Sequence, residues 1–273
     1  MAATLQLDHI VINVQSELDS AETAFKDLGF TLTERGYHTL GSMNALAMFH
    51  TDYLELLGFP AGAEEKRPEL ANAPMGLNGL VFKANNVDET FAHLQDLGLA
   101  GDPPKAFSRP VTLAGGETRD AKFRTVTVPP DAFSAGRLYF CEHLTPDLVW
   151  RPEWQSHANN AARFDDLTIV SEAADEMANL VARVVGSETQ PGADAITVPT
   201  AGDFQLLVQT PQAYRIKFGD MAVDPGGRSA AFGAVTVKGN CPPNLDHRYR
   251  VNANEADTQV LVTAFESLIV FRN

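Results

Sequence analysis

Cysteine is nearly missing from this sequence. Only Cys141 and Cys241 occur, neither in a CxxC pair, so a disulfide framework is not expected. Positive charge is also short: 21 Lys and Arg face 35 Asp and Glu, a formal net charge of −14. That balance argues against a sequence-independent grip on nucleic acid phosphates or on an anionic membrane. No apolar run approaches the roughly 20 residues that cross a bilayer. The start, "MAATLQLDHI", has neither the basic region nor the separate apolar stretch of a secretion signal. The expectation is a reduced, cytoplasmic protein whose partner is a small molecule, with no nucleic acid and no membrane.

What is present is ordinary globular material. The 273 residues are 44% hydrophobic and 21% charged, enough for one large core or two smaller ones. The stretch "LDHIVINV", Leu7 to Val14, reads as a buried strand with a histidine third in it. After it, Leu18, Ala21, Phe25 and Leu28 recur at helical spacing, with Ser16 or Asp19 as the cap and Gly29 as the stop. Three strand-like runs follow: "FTLTERGYHTL", "NALAMFH" and "DYLELLGFP".

The pattern then returns. "LNGLVFKANN" is a strand, "VDETFAHLQDLGL" a helix, and "FSRPVTL", "KFRTVTVP" and "GRLYFCEHLTP" are strands. A third copy opens at "ARFDDLTIVSE" and closes at "DFQLLVQTP". A fourth opens at "SAAFGAVTVKG" and closes at "VTAFESLIVFR", with little between them that looks helical. The joint falls near Arg151 to Arg163, where strand periodicity vanishes; Trp150 and Trp154 argue that it is packed.

A repeated βαβββ unit with "DHI" on an opening strand and "YLELL" on a closing one resembles the vicinal oxygen chelate superfamily. That group holds glyoxalases, epimerases, bleomycin-resistance proteins and extradiol dioxygenases. More narrowly, "HTLGSMNALAMF…DYLELLGF" with "FCEHLTPDLVWRPEWQSH" is similar to the glyoxalase-like domain family. The resemblance implies an α+β fold of tandem βαβββ modules forming two domains. Residues 1–150 carry the working cleft, and residues 160–273 form a degenerate second copy. It also implies one divalent metal ion (Zn, Ni, Mn, Fe or Co), held by opening and closing strands of both units.

Carried over residue by residue, the resemblance makes His9, Glu55 and Glu142 the metal ligands. Gly79 stands where the second histidine is expected, so water, His143 or His38 completes the set, or the metal site has decayed. From the residues alone His9 is also readable as a satisfied, half-buried histidine, yet two carboxylates in apolar strands are costly without partners. Glu142 is the expected base by resemblance, and His38 a second acid or base with a pKa near neutrality. Asn44, Arg124 and His143 are the expected substrate contacts, Arg124 because its fork suits a carboxylate or phosphate. In the second domain Asp166 stands at the place of His9 and Gln205 at that of Glu55. With no histidines at the matching positions there, an extradiol dioxygenase is disfavoured. The expected function is a divalent-metal-dependent lyase or isomerase acting on a small keto, hydroxy or enediol compound. The alternative is a sequestration protein without turnover; either acts as a monomer or homodimer.

Overall fold

The computed structural model describes residues 4–113 and 115–273. β1 (Leu7–Gln15) is buried from Leu7 to Val14, which explains a run of apolar residues without polar alternation. It is followed by α1 (Leu18–Asp27), β2 (Gly36–Tyr37), β3 (Met43–Met48) and β4 (Tyr53–Gly58). A short helix, α2 (Pro68–Ala71), leads to the second unit: β5 (Gly76–Lys83), α3 (Val87–Asp96), β6 (Lys105–Thr112), β7 (Thr118–Thr127) and β8 (Arg137–His143). These strands make one eight-stranded sheet in the order β2-β3-β4-β1-β5-β8-β7-β6. The two opening strands pair antiparallel at its centre, and each closing strand lies parallel to its own opening strand.

The second half repeats this plan. β9 (Arg163–Ser171), α4 (Ala174–Val185), β10 (Gln190–Pro191), β11 (Ile196–Pro199) and β12 (Gln205–Gln209) form the third unit. After α5 (Pro211–Phe218) come β13 (Ala230–Lys238), β14 (Tyr249–Ala253), β15 (Thr258–Val262) and β16 (Ser267–Arg272). The sheet order β10-β11-β12-β9-β13-β16-β15-β14 reproduces the first, although β13 reaches β14 without a helix. Two local expectations need correction. Phe30 to Leu40 yields only the two-residue β2. Neither Ser16 nor Asp19 caps α1; the cap position is Glu17, which makes no side-chain capping bond.

One face of each sheet packs into a shared apolar core, in which Phe30 meets Phe271 at 6.0 Å and Phe49 meets Phe164 at 5.0 Å between ring centroids. The connecting segment is fastened to the first sheet. His157 Nε2–H donates to the Met48 carbonyl at 2.8 Å, and its Nδ1 accepts from the Thr31 amide at 3.0 Å. The other face of the first sheet carries a second cluster, including Tyr53, Val81, Phe123 and Tyr139, onto which Leu148, Val149 and Trp150 fold back. That face holds the site. Among the described residues no helix is long and apolar enough to cross a membrane.

Candidate active site

Strand alternation alone sends Asp8 and His9 to opposite faces. The β1–β5 register instead runs Leu7 with Phe82 and His9 with Val81, so β1 has one extra residue and bulges at Asp8. Both side chains reach the same place: His9 Nδ1–H donates to Asp8 Oδ2 at 2.7 Å, and His143 Nε2–H donates to the same oxygen at 3.0 Å. On its far side His9 Nε2 lies 3.5 Å from Glu55 Oε2 and 3.2 Å from the Tyr139 hydroxyl. The imidazole stacks on Tyr53, 4.4 Å between centroids at 15°. Asn44 Nδ2–H donates to Glu55 Oε1 at 2.6 Å and lies 3.3 Å from His38 Nε2, while His38 Nδ1–H donates to Ser42 Oγ at 2.8 Å.

Burial opposes charge on His9, but Asp8 and Glu55 outweigh it and raise its pKa. Burial pushes the Glu55 carboxyl up, and the hydrogen bond and charge of His9, with His38 and Asn44, hold it down at about 2. Asp8 is likewise lowered, its burial overcome by His143 and His9. His38 is pushed down to about 4, first by burial and then by the positive Arg109, Arg67 and His9, so at neutral pH it is an uncharged imidazole.

His9, Glu55, Asn44 and His38 therefore converge, and Glu142 does not join them. Its neighbour Cys141 points into the cleft, so Glu142 faces the opposite side, near the Val87 amide (3.4 Å) and Arg124 (3.5 Å). Register explains the error. Val11 pairs with Glu55 in the first unit and Val81 with Tyr139 in the second, so Tyr139, not Glu142, is the counterpart of Glu55. Arg124 is also outside the cleft, clamped to Asp88 by two 2.8 Å bonds. His143 enters the cleft side but sits behind His9, on Asp8. In the second domain Gln205 pairs with Asp166 as Tyr53 pairs with His9, which makes Leu207 the counterpart of Glu55. Asp166 there is held by Thr236 (2.7 Å) and Arg272 (3.2 Å).

The expected metal set of His9, Glu55 and Glu142 is thus not assembled. At Gly79 a Cβ would stand 2.7 Å from Val11 Cβ, so the missing histidine's space is filled. Among the described residues a different group could hold an ion: donor atoms of Asp8, Cys141 and His143 lie within 4.8 Å of one another. Carboxylate, thiolate and imidazole suit zinc-like ions, and Asp8 Oδ1 and His143 Nδ1 are buried without a partner. The residues fit a metal at this group.

In front of His9 and Glu55 lies a cavity of about 80 Å³, walled by Phe107, Phe123 and Tyr139 among others. Three arginines also line it: Arg67, Arg109 and Arg137. Sequence reasoning missed Asp8, Tyr139, Arg67 and Arg137. Asp8 was hidden by the bulge, and Tyr139 by the register of its closing strand, which strand pairing reveals.

This fold, with an ionisable cleft on one face of the first sheet, is that of the vicinal oxygen chelate proteins. The glyoxalase-like domain model matches residues 7–185, and the chain belongs to that family. No curated relative matches the sequence. Among solved structures, a hypothetical protein from Staphylococcus aureus is similar at 11% identity and TM-score 0.69, covering 98% of this chain and 99% of that one. A triple mutant of 4-hydroxymandelate synthase from Streptomyces coelicolor is similar at 12% identity and TM-score 0.55, over 99% of this chain and 93% of its own. A xylose isomerase-like TIM barrel/4-hydroxyphenylpyruvate dioxygenase fusion protein is similar at 11% identity and TM-score 0.59, over 99% of this chain and 50% of that one. At these identities the likeness shows the fold.

Proposed function

We propose that the first domain is a lyase or isomerase that moves a proton on a small carbonyl- or hydroxyl-bearing molecule. The observation that carries this is the buried line Asp8–His9–Glu55 at the base of the cavity. Glu55 takes the proton from carbon next to a carbonyl. His9 Nε2–H and the Tyr139 hydroxyl, 3.2 Å apart, converge on the oxygen that gains charge. Asp8 accepts the Nδ1–H of His9, fixes the orientation of the ring and supports its positive charge, so that Nε2 keeps its proton. A ligand oxygen that takes over the N–H of His9 releases Glu55, whose burial then makes it a stronger base. An ion at Asp8, Cys141 and His143 would supply Lewis-acid charge behind His9.

A second reading, binding without turnover, draws on Gly79 and the aromatic wall of the cavity. The two are separated by NMR in D2O with α-hydroxy, α-oxo and enediol compounds. Proton transfer requires deuterium to wash into the carbon next to the carbonyl with wild type and not with Glu55→Gln. Binding without exchange for every compound supports the second reading.

A further inference from the structure

The charges around the cavity do not balance. Glu55 is the one carboxylate among its described lining residues, against three guanidinium groups. Arg67 is committed, its Nε–H donating to Glu69 Oε1 at 2.6 Å. Arg109 and Arg137 make no ion pair among the described residues, and Arg109 Nη2 and Arg137 Nη1 are buried without a partner. Arg109 is only 4% exposed. Arg109 feels the charge of Glu55 without pairing to it, and the Arg137 guanidinium lies 4.8 Å from the Tyr139 ring centroid. A buried cation without an ion pair is destabilising, which leaves room for an anionic ligand.

The backbone is shaped to keep it there. A Cβ at Gly36 would stand 2.6 Å from Arg109 Cδ and 2.5 Å from Asn44 Oδ1, so only glycine lets both side chains fold inward at this point. Asn44 spends its amide N–H on Glu55 and leaves Oδ1 buried and unpartnered. The cavity therefore offers unused cationic donors and one unused neutral acceptor. His38, uncharged at neutral pH, adds no further cation.

We propose that this cavity takes a small hydroxy acid: its carboxylate pairs with Arg109 and Arg137, and its hydroxyl donates to Asn44 Oδ1. This rests on reading the cavity as the ligand site of the proton-transfer centre, and it names the ligand class. A guanidinium fork matches a planar carboxylate. Inorganic phosphate also matches the arginines and, as hydrogen phosphate, carries one hydroxyl. What sets the hydroxy acid apart is a carbon skeleton that can lie against the aromatic wall of Phe107, Phe123 and Tyr139.

The test is calorimetric titration at constant ionic strength with lactate, acetate, lactamide and inorganic phosphate. Lactate is expected to bind saturably, and lactamide and acetate about tenfold or more weakly, the factor typical of one charge-assisted hydrogen bond. Arg109→Met and Arg137→Met are each expected to weaken lactate by about tenfold or more, while Arg124→Met, outside the cavity, binds as wild type does. Two variants are used so that misfolding of one, read from its thermal midpoint, leaves the other decisive. Equal binding of lactate and lactamide, tighter binding of phosphate, or wild-type affinity in both folded variants overturns the proposal. Lactate binding with no deuterium exchange on any of the α-hydroxy, α-oxo and enediol compounds overturns proton transfer and leaves the ligand class standing. Exchange on neutral carbonyl compounds with no preference for acids does the reverse.

Discussion

Asp8 Oδ2 lies 2.7 Å from His9 Nδ1, a contact between consecutive strand residues that exists because β1 bulges between Leu7 and His9. The bulge turns a dipeptide into a carboxylate–imidazole pair. Asp8 is fully buried and also accepts from His143, so its charge has two partners.

Asp8→Asn leaves both histidines facing an uncharged amide. Breaking a buried charged pair costs about 3–5 kcal/mol, and a loss of that size is expected in urea denaturation at neutral pH. A loss below about 1 kcal/mol, the value of an exposed pair, would mean that the bulge does not hold this geometry in solution.

Gly79 faces Val11 too closely for any side chain. Gly79→Ala is expected to destabilise by about 1–3 kcal/mol through overpacking. Adding Val11→Ala to Gly79→Ala should recover part of that loss relative to Val11→Ala alone, as a double-mutant cycle reads directly. Strict additivity would show that the two positions are not in contact.

His38 gives the stability curve a pH dependence. Unfolded, its imidazole takes a proton near 6.5; folded, it does so only near 4. Between these values the unfolded state binds more protons, so stability falls as pH falls, while above 6.5 the contribution is complete. The decline in unfolding free energy from pH 7 to pH 4.5 should be shallower in His38→Phe. An unchanged decline would place His38 in water.

Much of the fold was legible because burial and period leave marks in sequence. The opening strands announce themselves as apolar runs, and the helices as Leu18, Ala21 and Phe25 or Val87 and Leu94. The candidate site was legible where a polar residue interrupts an apolar strand, as His9, Glu55 and Asn44 do. It was not where irregularity or register decides. Asp8 needs the bulge, and Glu142 looked right only because its chemistry matched, while strand pairing gives that position to Tyr139. Arg124, expected as a substrate contact, pairs with Asp88 instead, and the arginines that turn inward are Arg67, Arg109 and Arg137.

Metal binding should follow Cys141, not Glu142. Added cobalt(II) is expected to give a thiolate-to-metal absorption band in wild type and in Glu142→Gln, and none in Cys141→Ser. Metal affinity lost in Glu142→Gln and kept in Cys141→Ser would restore the ligand set that the family resemblance implies.

The most direct measurement compares two carboxylates by proton exchange in D2O. Glu55 and Glu142 stand on opposite faces of one sheet, and only Glu55 lines the cavity. Deuterium incorporation next to a carbonyl or hydroxyl carbon should be abolished in Glu55→Gln and unchanged in Glu142→Gln. Exchange that survives in Glu55→Gln and disappears in Glu142→Gln would contradict the assignment of Glu55 as the base.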